Sequence, residues 1–234
     1  MISAAERDDI GIICEQNWSE DALALLQSCG RLYAGFDVGR KNDLSVITVL
    51  EPAGSELRVR AILRMRDMRL PEQELRLGEL CRLRNFQRVA MDLTGLGLGL
   101  FEYAQKKFGR SRIHGINFAS TVPATRNITA EGGRRESVRV TEALAMELLR
   151  VYEDRRIRHP RDEVLRADLR KPEKITSPGG RVSIAATRDE AGHADHFWSL
   201  ALALDAAHKP ACASQTIRIQ RPRNYSWEDR TVLI

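Results

Sequence analysis

The stretch Tyr33-Ala-Gly-Phe-Asp-Val-Gly-Arg-Lys-Asn-Asp-Leu-Ser-Val-Ile-Thr-Val-Leu50 constrains the fold more than any other part of the chain. It reads as two hydrophobic strands, Leu32 to Val38 and Leu44 to Leu50, joined by the polar turn Gly39-Arg-Lys-Asn-Asp43. One charge breaks the pattern. Asp37 sits inside the first strand, where a carboxylate is costly to desolvate unless a cation or a set of donors compensates it. Asp37 is therefore either a site residue or a strand-end aspartate bonded to the turn amides.

A third strand, Glu56 to Met65, follows the turn signals of Glu51-Pro-Ala-Gly-Ser55, so the opening reads as an antiparallel meander. Pro71 then starts a helix with Leu77, Leu80 and Cys81 as its apolar stripe, running to about Arg84. The pattern returns to a strand at Phe86-Gln-Arg-Val-Ala-Met-Asp92, which puts a second carboxylate at a strand end. In open α/β sheets ligands gather at the carboxyl ends of strands. The glycine run after it, Leu93-Thr-Gly-Leu-Gly-Leu-Gly-Leu100, has the look of a dinucleotide fingerprint but lacks its third glycine. Its acid also precedes the glycines, and a meander stands where a βαβ unit is needed. A flexible helix entrance is the simpler reading.

Further along, Gly97 to Phe108 reads as a helix ended by Gly109, and Ile113 to Phe118 as a short strand. Residues Ala119 to Glu131 read as loop. Arg134 to Arg155 form the longest helix, with Thr141, Leu144, Leu148, Val151 and Tyr152 on one stripe. A basic segment leads from there into a shorter helix reaching about Arg170. Lys174 to Ala185 reads as a hairpin turning at Ser-Pro-Gly-Gly. From His196 an alanine- and leucine-rich helix begins, and Asp195 heads the stripe Trp198, Ser199 and Leu202 that packs inward. Asp195 is a site residue or a helix cap. Residues 1-30, with a possible short helix from Ser19 to Ser28, are expected to form a leader or linker packed on the outside. The folded domain is expected over 31-208, with a tail at 209-234.

Hydrophobic residues make up 43% and charged residues 29% of the 234, the balance of a globular protein and not of a disordered one. No run of about 18 apolar residues occurs, and the first residues lack the basic-then-apolar order of a signal peptide, so a cytoplasmic location is expected. Cys14, Cys29, Cys81 and Cys212 stand singly, without the paired spacings of zinc or redox motifs. The net charge of +5 is mild, but arginine greatly outnumbers lysine, and its planar fork suits phosphate.

The three aspartates argue better together. One lies within the first strand of a meander, one at the end of the following crossover strand and one at the head of a late helix, which is the element order of ribonuclease H-like nucleases. The expected architecture is thus α/β: a ribonuclease H-like mixed sheet, an antiparallel three-strand meander plus parallel strands, flanked by helices. Three carboxylates a few ångströms apart repel by several kcal/mol at an effective dielectric near 20, so they need cations or raised pKa values to coexist. Oxygen-only ligands favour magnesium or manganese over zinc.

Three segments carry a closer resemblance: Gly35-Phe-Asp-Val-Gly-Arg-Lys-Asn-Asp-Leu-Ser-Val-Ile47, Val89-Ala-Met-Asp-Leu-Thr-Gly-Leu-Gly99 and Gly192-His-Ala-Asp-His-Phe-Trp-Ser-Leu-Ala-Leu-Ala203. Over about residues 31 to 207 the chain resembles the C-terminal nuclease domain of the phage terminase large subunit, in the form found in Mu-like phages. That resemblance implies metal ligands at Asp37, Asp92 and Asp195, with Asp43 as an auxiliary acid. It implies a two-ion endonuclease using Mg²⁺ or Mn²⁺, the ions about 3.5–4 Å apart, that cuts concatemeric or integrated viral DNA during packaging. His193 is a candidate for orienting water or phosphate, or a cap of the helix entrance. Arg40, Lys41, Lys174 and Arg181 are candidates for backbone phosphate contacts on double-stranded DNA. Implied partners are the terminase ATPase domain or subunit, the portal and the small terminase subunit, in the cytoplasm of an infected host. Terminases usually carry an ATPase domain upstream, and no glycine-rich Lys-Ser/Thr phosphate loop occurs in this sequence, so an excised domain or a split subunit is expected. Two rival readings remain: a non-catalytic docking module of the packaging motor, and an actin- or sugar-kinase-like ATP-binding protein, since Asp37-Val-Gly39 resembles that fold's first phosphate loop.

Overall fold

The computed structural model describes residues 10–39, 44–94, 97–123, 137–176, 182–186 and 194–208. Strand β1 (Ile12–Glu15) and helix α1 (Glu20–Ser28) precede the meander β2 (Leu32–Asp37), β3 (Leu44–Ala53) and β4 (Glu56–Arg66). Helix α2 (Leu70–Cys81), strand β5 (Phe86–Asp92), helix α3 (Gly97–Phe108) and strand β6 (Ile113–Ile116) follow. Two short strands, β7 (Thr121–Pro123) and β8 (Ser137–Arg139), lead to helix α4 (Val140–Glu153), strand β9 (Ile157–Arg158) and helix α5 (Glu163–Asp168). A hairpin of β10 (Pro172–Thr176) and β11 (Val182–Ala186) and the helix α6 (Asp195–His208) complete the order.

The main sheet runs β1-β4-β3-β2-β5-β6, with β9 also pairing β4. β2, β3 and β4 are antiparallel, whereas β5 adds to β2, and β6 to β5, in parallel. This is the mixed meander-plus-parallel arrangement expected from the sequence. It is covered on both faces, which explains why β3 is buried from Leu44 through Glu51 without the alternation of a half-exposed strand. One face packs Leu32, Ala34, Phe36, Val89 and Met91 against Leu26, Leu77, Leu80, Leu100 and Ala104 of α1, α2 and α3. The other packs Val46, Leu50, Val59, Ile62 and Ala90 against Leu144 and Leu148 of α4 and Leu200 to Leu204 of α6.

Three elements differ from the sequence reading. The described part of residues 1–30 is built into the domain: β1 pairs in parallel with β4, and Cys14, Trp18, Ala22 and Leu26 are buried. β1 is only four residues long, too short for its periodicity to stand out, and its pairing partner lies some fifty positions away. The long helix begins at Val140 and not at Arg134, because Ser137–Arg139 pair with Thr121–Pro123 and the Val140 amide donates to the Ser120 carbonyl. Helix α2 stops at Cys81, and Leu83 turns back into the core. Gly109 ends α3 as expected, at φ +90°, a left-handed conformation that costs glycine little.

Candidate functional site

β2 and β5 lie side by side in parallel, with Phe36 opposite Met91. Asp37 and Asp92 are each the next residue, so they end neighbouring central strands at one edge of the sheet. Phe36 and Met91 face the α1–α3 side, and strand alternation therefore turns both aspartates to the side covered by α6. On that side Gly35 precedes Asp37 by two residues, and α6 lies directly on it. A Cβ on Gly35 would come within 2.7 Å of Leu202 Cβ and closer still to main-chain atoms of Ser199 and Ala203. Only glycine permits this approach.

α6 is also pinned to the sheet by a buried hydroxyl pair, Thr48 Oγ1 to Ser199 Oγ at 2.7 Å, and by Arg88 Nε donating to the Ala206 carbonyl at 2.9 Å. Arg88 pairs with Tyr33 near the start of β2, so α6 runs back along that strand and its first turn points toward Asp37. From Ser199 to Asp195 is one helical turn, roughly 6 Å of rise, and from Gly35 to Asp37 two strand residues, roughly 6.6 Å. The backbone thus brings Asp195 to the level of Asp37. Asp195 is the first residue of the helix and only 5% exposed.

Asp92 is 8% exposed and held by its own turn. The Thr94 amide donates to Oδ1 at 3.0 Å, and the Thr94 hydroxyl donates to Oδ2. Burial pushes this carboxyl above the usual aspartate range, against the pull of the bonds from Thr94 and from the Phe118 and Leu93 amides. The glycine run after it has a packing reason as well: a Cβ on Gly97 would stand 2.1 Å from the Asp92 carbonyl oxygen.

The donor set at this edge is carboxylate oxygen, the chemistry that suits a hard divalent cation. Among the described residues no group of three or more His, Cys, Asp or Glu side chains is closed round a metal position as it stands. Asp43, His193, Arg40, Lys41 and Arg181 lie outside the described residues, and Lys174 is placed by its backbone only, on β10 opposite Ile184.

Sequence reasoning passed over a second set of polar residues. Arg64 on β4, Asp168 at the end of α5 and His196 on α6 are 8%, 4% and 1% exposed and bonded to one another behind Asp195. The signal was available in Arg64, a charge inside an apolar strand like Asp37. Its partners stood about a hundred positions away and could not be paired with it from spacing.

Residues 34–207 match the family model of the terminase RNaseH-like domain. The chain belongs to this family. The terminase domain is similar in structure to the large terminase nuclease of the thermophilic phage G20c with bound magnesium, at 22% identity and a TM-score of 0.53 over 75% of this chain and 80% of that one. It is also similar to a mutant nuclease domain of the large terminase subunit of bacterial virus Sf6, with manganese and beta-thujaplicinol (16% identity, TM-score 0.57, covering 81% and 94%). Against the large terminase of bacteriophage HK97 it covers 81% of its own length and 43% of that chain (13% identity, TM-score 0.50). No curated protein matches. The fold is thus the ribonuclease H-like one of phage terminase nucleases, and the match to the terminase family over residues 34–207 stands against the actin- or sugar-kinase-like reading. Among the described residues no helix is long and apolar enough to cross a membrane.

Proposed function

We propose that this terminase domain is a metal-dependent endonuclease that cuts double-stranded viral DNA during genome packaging, with Asp37, Asp92 and Asp195 as its metal ligands and Asp43 as an auxiliary acid. The observation that carries the reading is the pairing of Phe36 with Met91, which puts two carboxylates at the ends of adjacent parallel strands, on the side where α6 begins with a third. Magnesium in the G20c nuclease and manganese in the Sf6 nuclease support the choice of Mg²⁺ or Mn²⁺.

Two such cations, when bound, lower the pKa of a water and offset the charge developing on the phosphodiester. The chain's own part is to hold ligands and place DNA. Asp37, which ends the strand beside that of Asp92, would be the ligand shared by the cations. Asp92 is oriented by the bonds it accepts from the Thr94 amide and hydroxyl. His193 orients water or phosphate. Arg40 and Lys41 follow Asp37 in the chain, and Lys174 and Arg181 belong to the hairpin segment. These four contact phosphates and read no bases, so binding is sequence-tolerant and falls steeply with salt. The ATPase domain or subunit, the portal and the small terminase subunit are the partners of this reading, and the host cytoplasm its location.

A non-catalytic docking module of the packaging motor is the competing reading. Supercoiled plasmid incubated with the protein and Mg²⁺ or Mn²⁺ separates the two. Metal-dependent nicking lost in Asp37→Asn supports the nuclease; a folded protein that leaves the plasmid intact with either metal supports the docking module.

A further inference from the structure

The first turn of α6 is held by buried side chains that take no part in the chemistry above. His196 directly follows Asp195. Its Nε2 accepts from Arg64 Nε at 2.7 Å, and because a guanidinium only donates, this bond leaves the ring proton on Nδ1. Nδ1–H then donates to Asp168 Oδ2 at 3.0 Å, and the same oxygen accepts the His196 main-chain N–H at 2.7 Å. Lys171 Nζ stands 3.0 Å from the other oxygen of Asp168. Arg64 is fixed in turn by Asp162 Oδ1 at 2.5 Å, the residue that caps α5 through the Leu165 amide, and by Glu15 Oε1 at 3.2 Å.

The main chain shows how firmly this turn is set. Ala194, fully buried and immediately before Asp195, has φ +66°, a left-handed conformation that a residue with a Cβ keeps only where its surroundings over-determine it. The rest of α6 does not depend on this arrangement, since Ser199, Ala203 and Ala206 anchor it to β2, β3 and β5. Removing the bonds round His196 therefore frees the first turn and leaves the helix docked.

We propose that Arg64, Asp168 and His196 are positioning residues that set the direction of the Asp195 carboxylate, and through it the affinity of the acidic edge for its divalent cation. This rests on the reading of Asp195 as a metal ligand. A ligand held to within about 0.5 Å binds its ion well, and loosening the groups behind a ligand commonly costs 10- to 100-fold in metal affinity. Asp168→Asn keeps the volume and removes the charge that both His196 donors share. His196→Gln retains an acceptor for Arg64 and loses the ring bond to Asp168.

The test is calorimetric titration of MnCl₂ into the wild-type chain, Asp37→Asn, Asp168→Asn and His196→Gln, with plasmid nicking measured against Mn²⁺ concentration and metal-free melting as the measure of folding. Expected are Mn²⁺ binding by the wild type, its loss in Asp37→Asn, and binding about tenfold weaker in Asp168→Asn. The Mn²⁺ needed for half-maximal nicking should rise by the same factor, and the rate at saturation should change far less. His196→Gln should show a smaller shift in the same direction, and it decides the matter if Asp168→Asn does not fold. Wild-type Mn²⁺ affinity in the folded variants overturns the positioning role while the metal-ligand reading stands. A wild-type chain that neither binds Mn²⁺ nor nicks plasmid overturns both.

Discussion

A Cβ placed on Gly35 would stand 1.9 Å from the carbonyl oxygen of Ser199, so β2 and α6 meet backbone to backbone two residues before Asp37. Neither partner is a side chain that could swing aside, as the Ala203 amide nitrogen lies 2.3 Å from the same point. Gly35→Ala should therefore cost about 3 kcal/mol or more, at or beyond the upper end of ordinary overpacking. Gly99→Ala, at a helical position where a Cβ meets nothing within 4 Å, should instead stabilise by about 0.5–1 kcal/mol. Urea unfolding of the two variants beside the wild type measures both.

Asp37→Asn removes a charge without changing volume. If the proposed acidic site is right, metal-dependent nicking should be lost, with metal-free melting equal to or above that of the wild type, because a charge that would repel its neighbours is gone. Near-normal nicking in this variant would show that Asp37 is not the bridging ligand.

Burial raises the Asp92 carboxyl above its ordinary value of 3.8, so the folded protein holds that proton more tightly than the unfolded chain does. Its contribution to stability is full below the ordinary value and is lost as pH rises through the raised one. Metal-free Asp92→Asn should accordingly gain on the wild type as pH rises from about 3.8 toward neutrality. Saturating Mn²⁺ should then stabilise the wild type more than the variant. Melting temperatures across that range, with EDTA and with Mn²⁺, read out both effects.

Asp168 carries the opposite sign. Burial pushes its carboxyl up, but the bonds from His196 and Lys171 outweigh that and leave it below the ordinary 3.8. The stability it contributes is present above the ordinary value and lost as pH falls through the folded one. Wild type should exceed Asp168→Asn near neutral pH, and the gap should close as pH falls below about 3.8. Urea midpoints from about pH 6 to about pH 2 would show it, and a gap constant with pH would rule it out.

The order of the central elements can be read from local periodicity and turn residues, which mark the meander, the crossover strand ending in Asp92 and the helix headed by Asp195. The same local pattern shows which acids stand at element ends, because a charge that interrupts an apolar run is visible in one dimension. Other features depend on pairs far apart in the chain. β1 is four residues long and becomes a strand through β4, and Ser137–Arg139 leave the helical pattern because Thr121–Pro123 are there to pair with. Gly35 looks like any strand glycine until α6 is laid on it. Arg64, Asp168 and His196 are separate polar residues in the sequence and become one buried arrangement only when β4, α5 and α6 meet. The physical reason is the same in each case: hydrophobic period and turn chemistry act between near neighbours, whereas burial, close approach and hydrogen-bond partnership are properties of surfaces that the folded chain brings together.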